Sequence, residues 1–351
     1  PPHQDRRGEG LAMTTSNASP FEDEDALFRP ADFMAHADTD EREYANYSYI
    51  RETVNRFLSN KGALVSLVVI SLIVLVAIIA PLISPYSYSD VNSSITNLPP
   101  RIPGLEQLGI CDGTQNGVDL YAEAGIPNEY HFFGTDGLGR DVWTRVWEGT
   151  RISLVIALIA VVVGVLIGIV YGLVSGYFGG KVDIVMQRFT EVLSSIPQLV
   201  ITTLLIVVLQ PGLANIVIVL FITGWIDMSR IVRAQVLKCK TQEFTLAART
   251  LGVSSRDIIF KEILPNTMPQ VVVTFMFSIP NAIFLEAFLA FIGLGIPAPT
   301  ASLGTMINDG YNAAMIYPYQ VLAPVMVLAI LMLGFNLFGD GLRDALDPER
   351  S

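Results

Sequence analysis

Charge is scarce in this sequence. Only 16% of its 351 residues are Asp, Glu, Lys or Arg, against 51% hydrophobic, and the mean hydropathy is positive. That balance lies outside the range of soluble domains and marks an integral membrane protein. Cysteine and histidine are scarcer still. Two cysteines, Cys111 and Cys239, support neither a redox motif nor a metal site, and His3, His36 and His131 are too scattered for a zinc-binding H-E-x-x-H helix. No G-x-x-x-x-G-K-[ST] is present. Its nearest approach, Gly179-Gly180-Lys181-Val182, lacks both the spacing and the hydroxyl that would reach Mg²⁺, so the chain is not expected to hydrolyse ATP. No catalytic residue, metal ligand or bound cofactor is expected.

What the chain has instead is long apolar runs. Crossing about 30 Å of hydrocarbon takes roughly 20 helical residues. Six runs qualify: 61–83, 152–175, 192–210, 213–231, 268–294 and 320–338. The expected fold is therefore all-α with six transmembrane helices. Gln210-Pro211-Gly212 is expected to turn the third helix into the fourth, since Pro and Gly interrupt helices. The first run begins late and is too long for a signal sequence, so it reads as a retained anchor.

Orientation follows from Lys and Arg. With the amino terminus inside, all but Arg101, Arg140, Arg145 and Arg151 of the 22 basic residues fall on the cytoplasmic side. Both termini are then cytoplasmic, and Cys111 and Cys239 lie on opposite faces and cannot pair. The formal charge of −11 reflects acids in the first 48 residues, including Glu22 to Asp25, and in the external segment. These acids read as solvated surface. The expected organisation is an acidic, weakly ordered tail (1–48), a first-helix region (49–84), an external segment (85–150), a helical body (151–341) and a cytoplasmic end (342–351). Met13 reads as a start, and the residues before it carry no functional weight.

One cytoplasmic loop, within 243–265, is long and basic. In TLAARTLGVSSRDIIFKEILP, from Thr245, helix formers lead to Gly252, Ser254 is placed to cap a second helix with Asp257 three residues on, and Pro265 is expected to close that helix. Two short helices meeting at a glycine make a protruding knob. Elsewhere, Gly164, Gly168, Gly172 and Gly176 put small residues on one helix face, suited to close packing and to pairing with a second bundle. The loop Gly134-Thr135-Asp136-Gly137-Leu138-Gly139-Arg140-Asp141 reads as tight turns with local Asp–Arg pairing, either as a folded loop or as a partner contact. Glu286 is an intramembrane carboxylate that costs about 2.5–3.5 kcal/mol to insert, so it faces protein or water. It either lines a route through the bundle, or is hydrogen-bonded between helices near Asn281. Asp227 pairs with Arg230 one turn on. Asp340, Arg343, Asp344 and Asp347 form a charged ending, open to a partner contact.

The spacing Ala247-Ala248, Gly252, Leu264-Pro265 resembles the EAA signature of ABC-importer permeases. Leu246 stands where Glu is usual, and Glu262 where Ile is usual. FGTDGLGRDVWTRVWEGTRISL from Phe133, SGYFGGKVD from Ser175, LEAFLAFIGLGIPAPTASLGTMINDG from Leu285 and NLFGDGLRDALDPER from Asn336 are similar to the C-type permeases of dipeptide, oligopeptide and nickel importers. The resemblance implies a type I importer permease in the cytoplasmic membrane. Leu246, Ala247, Ala248, Arg249, Gly252, Ser254, Glu262, Leu264 and Pro265 would form its ATPase-coupling loop, and Asn281 and Glu286 would be pathway candidates. It also implies a homologous B-type permease, two cytosolic ATPases carrying ATP and Mg, an extracytoplasmic solute-binding protein, a peptide substrate and no nucleic acid. The long external segment, with Pro99 to Gly104, favours peptide over nickel. An ion-driven secondary transporter using Glu286 and Asp227 is the alternative from another class, but the paired inverted repeats it needs are not visible.

Overall fold

Asn60 starts the first membrane helix: its side-chain oxygen accepts hydrogen bonds from the Gly62 and Ala63 N–H groups, satisfying donors that a helix start leaves open. The computed structural model describes residues 51–346. The acidic tail expected over 1–48, Met13, Asp347 and Arg350 lie outside the described residues. The helices are α1 (Lys61–Ile83), α2 (Val142–Phe178), α3 (Gly180–Ser194), α4 (Gln198–Leu209), α5 (Leu213–Lys240), α6 (Glu243–Thr250), α7 (Ser255–Leu294), α8 (Leu303–Ala313) and α9 (Tyr319–Leu346). Among the described residues α1, α2, α5, α7 and α9 are each long and apolar enough to span a membrane.

The expected third span is not straight. It is α3 and α4, bent by 78° across a short break, and counts as a sixth span only if the pair is taken together. Pro197 is the reason: it lacks a donor and disfavours helical backbone at the residue before it. Other boundaries also move, the last helix among them, which runs on to Leu346 rather than 338. The second helix begins at Val142, not 152, because Asp141 caps it: one carboxylate oxygen accepts from the Thr144 N–H at 2.7 Å and its hydroxyl at 2.6 Å. The fourth runs on to Lys240. The fifth extends back to Ser255, so Pro265 does not close a helix. A wide turn at Ile258–Ile263, in which the Leu264 N–H reaches the Ile259 carbonyl, carries the chain past it.

The centre of the bundle is α2 against α5. Lipid tails are as apolar as a protein core, so close backbone approach rather than burial alone selects this contact. A Cβ at Gly168 would sit 2.7 Å from Met228 Cβ, one at Gly172 2.6 Å from the Ser229 carbonyl, and one at Gly176 2.8 Å from Val236 Cβ. The glycine stripe is therefore spent inside this chain, not on a second bundle as its spacing suggested. Val161, Val165, Met228, Val232, Ile279, Ile283, Val327 and Leu331 join α2, α5, α7 and α9 into one core.

Between α1 and α2 the chain folds upon itself. It carries a small hairpin, β1 (Thr114–Gln115) with β2 (Val118–Asp119), and a cluster of Ile95, Leu98 and Tyr121. The Tyr121 hydroxyl donates to the Pro99 carbonyl at 2.9 Å.

Candidate functional site

The loop singled out by its sequence is an elbow at one end of the bundle. α6 ends where the Leu251 N–H meets the Ala247 carbonyl, and Gly252 turns the chain with φ of +77°, a backbone region that L side chains avoid. Ser254 then caps α7, accepting from the Asp257 N–H at 3.2 Å and donating to its carboxylate at 2.6 Å. Lys261 pairs with Asp257 at 2.7 Å. Ala248 packs against the core, whereas Ala247 is exposed. Glu262 and Leu264 are half-buried, Pro265 is exposed, and the Glu262 carbonyl accepts from Asn266.

Several large apolar side chains of the elbow stand exposed. Leu246 is 48% exposed, Leu251 82% and Phe260 62%, with Phe244 and Val253 beside them. Large apolar side chains left exposed on a short surface element gain by being covered. Leu246 was visible as a departure from the EAA pattern; Phe244, Leu251 and Phe260 were not singled out, because exposure is a property of the fold.

The base of the elbow is clamped. The Arg249 guanidinium lies 5.4 Å over the Tyr177 ring, and Lys240 donates to the Tyr177 carbonyl at 2.5 Å. Nearby, both Asp183 oxygens accept from Arg233 at 2.6 Å, and Ser175 donates to the same carboxylate. That bidentate pair joins α3 to α5. Tyr177 and Asp183 fall in the SGYFGGKVD stretch, but their partners are distant in sequence.

The Gly134–Asp141 loop lies at the opposite end. A Cβ at Gly139 would overlap the Asn92 carbonyl, and one at Gly134 the Leu98 carbonyl, so both positions need glycine for space as well as for their positive φ. Thr135 is buried, accepting from the Leu98 N–H at 2.8 Å and donating to the Ile95 carbonyl at 2.5 Å, while its own carbonyl accepts from Gln320 at 3.0 Å. Asp136 accepts from the Arg140 side chain at 2.7 Å. Asp141 also meets His131 Nδ1 at 2.8 Å. The loop is a knot tying the α1–α2 segment to the starts of α2 and α9.

The two pathway candidates separate. Asn281 lines a cavity of about 420 Å³ together with Gln198, Gly224, Asp227 and Ser278. Glu286 does not. It is fully buried, accepts from Ser153 of α2 at 2.9 Å, and Ser153 also accepts from the Leu303 N–H at 3.2 Å. Five residues along a helix turn the side chain well over a quarter-circle, so Asn281 and Glu286 face different neighbours. Asp227 and Arg230 form a loose pair at 3.7 Å with both side chains open to the surroundings.

Residues 164–351 match the family described as the binding-protein-dependent transport system inner membrane component. The chain belongs to this family. Residues 48–100 match the N-terminal transmembrane domain of oligopeptide transport permease C. Relatives of this permease include the oligopeptide transport system permease protein OppC of Bacillus subtilis, 43% identical over 92% of this chain and 97% of its own. The dipeptide transport system permease protein DppC of Lactococcus lactis is 42% identical over 87% and 92%. Among solved structures, an inward-facing form of the MetNI methionine ABC transporter aligns with a TM-score of 0.47 and 20% identity, covering 57% of this chain and 94% of that one.

Proposed function

We propose that this permease is the peptide-translocating C-type subunit of an ATP-driven importer, paired with a homologous permease, two cytosolic ATPases and an extracytoplasmic solute-binding protein. The observation that carries the reading is the elbow: exposed Leu246, Leu251 and Phe260 on a base clamped to α2 and α5. In this reading the elbow docks into an ATPase on the cytosolic side, as the distribution of Lys and Arg supports. The names of the relatives support peptide as the cargo.

The mechanism follows from connectivity. ATP binding closes the ATPases and moves the docked elbow; the Tyr177 clamp and the helix Leu264–Leu289, which continues from the elbow, pass that movement to the bundle. The cavity at Asn281 opens outward, and hydrolysis returns it inward. The test is reconstitution of this chain with its permease, ATPase and binding-protein partners in proteoliposomes. Uptake of a labelled peptide that requires both ATP and the binding protein is the expected result. Uptake driven by an ion gradient without ATP would overturn it.

A further inference from the structure

Two arginines sit at the floor of a recess at the end of the bundle opposite the elbow. Arg140 and Arg145 are only 7% and 3% exposed, yet both line a cavity of about 300 Å³ walled by Pro211, residues of the 293–300 segment and α8. Two carboxylates balance them, and these are held very differently. Asp136 is fixed: it accepts from Arg140 Nε at 2.7 Å, from the Arg140 N–H at 3.0 Å and from the Leu138 N–H at 2.9 Å. Asp309 is not. Its Oδ2 lies 3.6 Å from Arg140 Nη2 and 3.8 Å from Arg145 Nη2, beyond hydrogen-bond reach, and its side chain is 56% exposed.

We propose that Arg140 and Arg145 form a carboxylate-binding station that takes the C-terminal carboxylate of the transported peptide, with Asp309 the carboxylate it displaces. The proposal rests on the peptide-importer reading and deepens it. The exchange keeps the buried charges balanced, because one carboxylate leaves as another enters, and it replaces two long ion pairs with charge-assisted hydrogen bonds. A chain terminus reaches the floor of a recess more readily than an acidic side chain on a folded partner surface. The carboxylate is also the one charged group besides the amino terminus that peptides of any sequence share. That makes it a suitable handle for a permease handling varied side chains.

The experiment uses the assembled complex in proteoliposomes with trialanine and trialanine amide, each at a concentration that saturates the binding protein. Arg140→Gln and Arg145→Gln are expected to lower the acid-over-amide uptake ratio about tenfold, the effect of losing a charge-assisted bond, a ratio that an equal loss of folded complex does not move. Asp309→Asn, at an exposed site that folding tolerates, is expected to raise the acid-over-amide uptake ratio at least about threefold. Equal loss of acid and amide in the arginine variants, with no change of ratio in Asp309→Asn, would overturn the proposal in favour of a structural latch. A parallel fall in peptide-free ATPase stimulation by the binding protein would overturn it in favour of a binding-protein contact. If the wild-type complex takes up neither peptide, the importer reading itself fails.

Discussion

At the 241–257 end of the bundle Leu246 and Leu251 stand in the open on an elbow, whereas at the 84–141 end Arg140, Asp141 and His131 are buried within a folded segment. The usual placement of apolar and charged residues is inverted at both ends. Each inversion has its own physical logic. Apolar side chains outside a membrane gain by being covered, so the elbow is incomplete alone. Buried charges survive only when paired, so the other end carries its own partners, Asp136 for Arg140 and Asp141 for His131, with Asp309 loosely held.

The largest expected effect comes from the contact on which both ends depend. Gly172→Leu drives a side chain into the Ser229 carbonyl and Val232, and should destabilise the chain by about 3 kcal/mol, the upper range for overpacking. Thermal unfolding of the detergent-solubilised protein measures it; an unchanged midpoint would mean that α2 and α5 do not meet as described. Next, Asp141→Ala removes the α2 cap and the His131 partner, and should cost about 2 kcal/mol in the same assay. It should loosen the buried end and leave intact the ATPase binding proposed for the elbow.

Gly252→Val acts at the other end. No atom lies within 4 Å of the added Cβ, so the cost is backbone strain alone, about 1–2 kcal/mol. Membrane insertion should persist while ATP hydrolysis uncouples from uptake; unchanged uptake would refute the elbow as a lever. Leu251→Ala should leave stability within about 0.5 kcal/mol yet weaken ATPase co-purification. The smallest effect belongs to Glu286→Gln. Its amide oxygen still accepts from Ser153, so uptake of all peptides should stay close to wild type, whereas selective loss of some substrates would return Glu286 to the pathway.

Much of this was legible. Gly252 and the Ser254 cap can be read directly because turn and cap chemistry are local: a positive φ needs glycine, and a capping hydroxyl reaches only three residues. Helix existence was legible for the same reason, and the Asp141 cap on Thr144 is equally local, whereas the passage of α7 through Pro265 depends on the wide turn at Ile258–Ile263. Asp183 and Arg233, or Glu286 and Ser153, are far apart in sequence, and nothing in their spacing predicts the pairing.

The sequence by itself determined that this is an apolar, helical membrane chain with a glycine-hinged elbow, because hydropathy and turn chemistry depend on neighbouring residues; that it is a permease came from the likeness of its motifs to a known family. Only the tertiary structure decided that the glycine stripe of α2 closes on α5, that Glu286 turns away from the Asn281 cavity, and that Arg140 and Arg145 share a recess with Asp309. Those outcomes depend on which helix faces press together, and a face acquires its partner only when the whole bundle has packed.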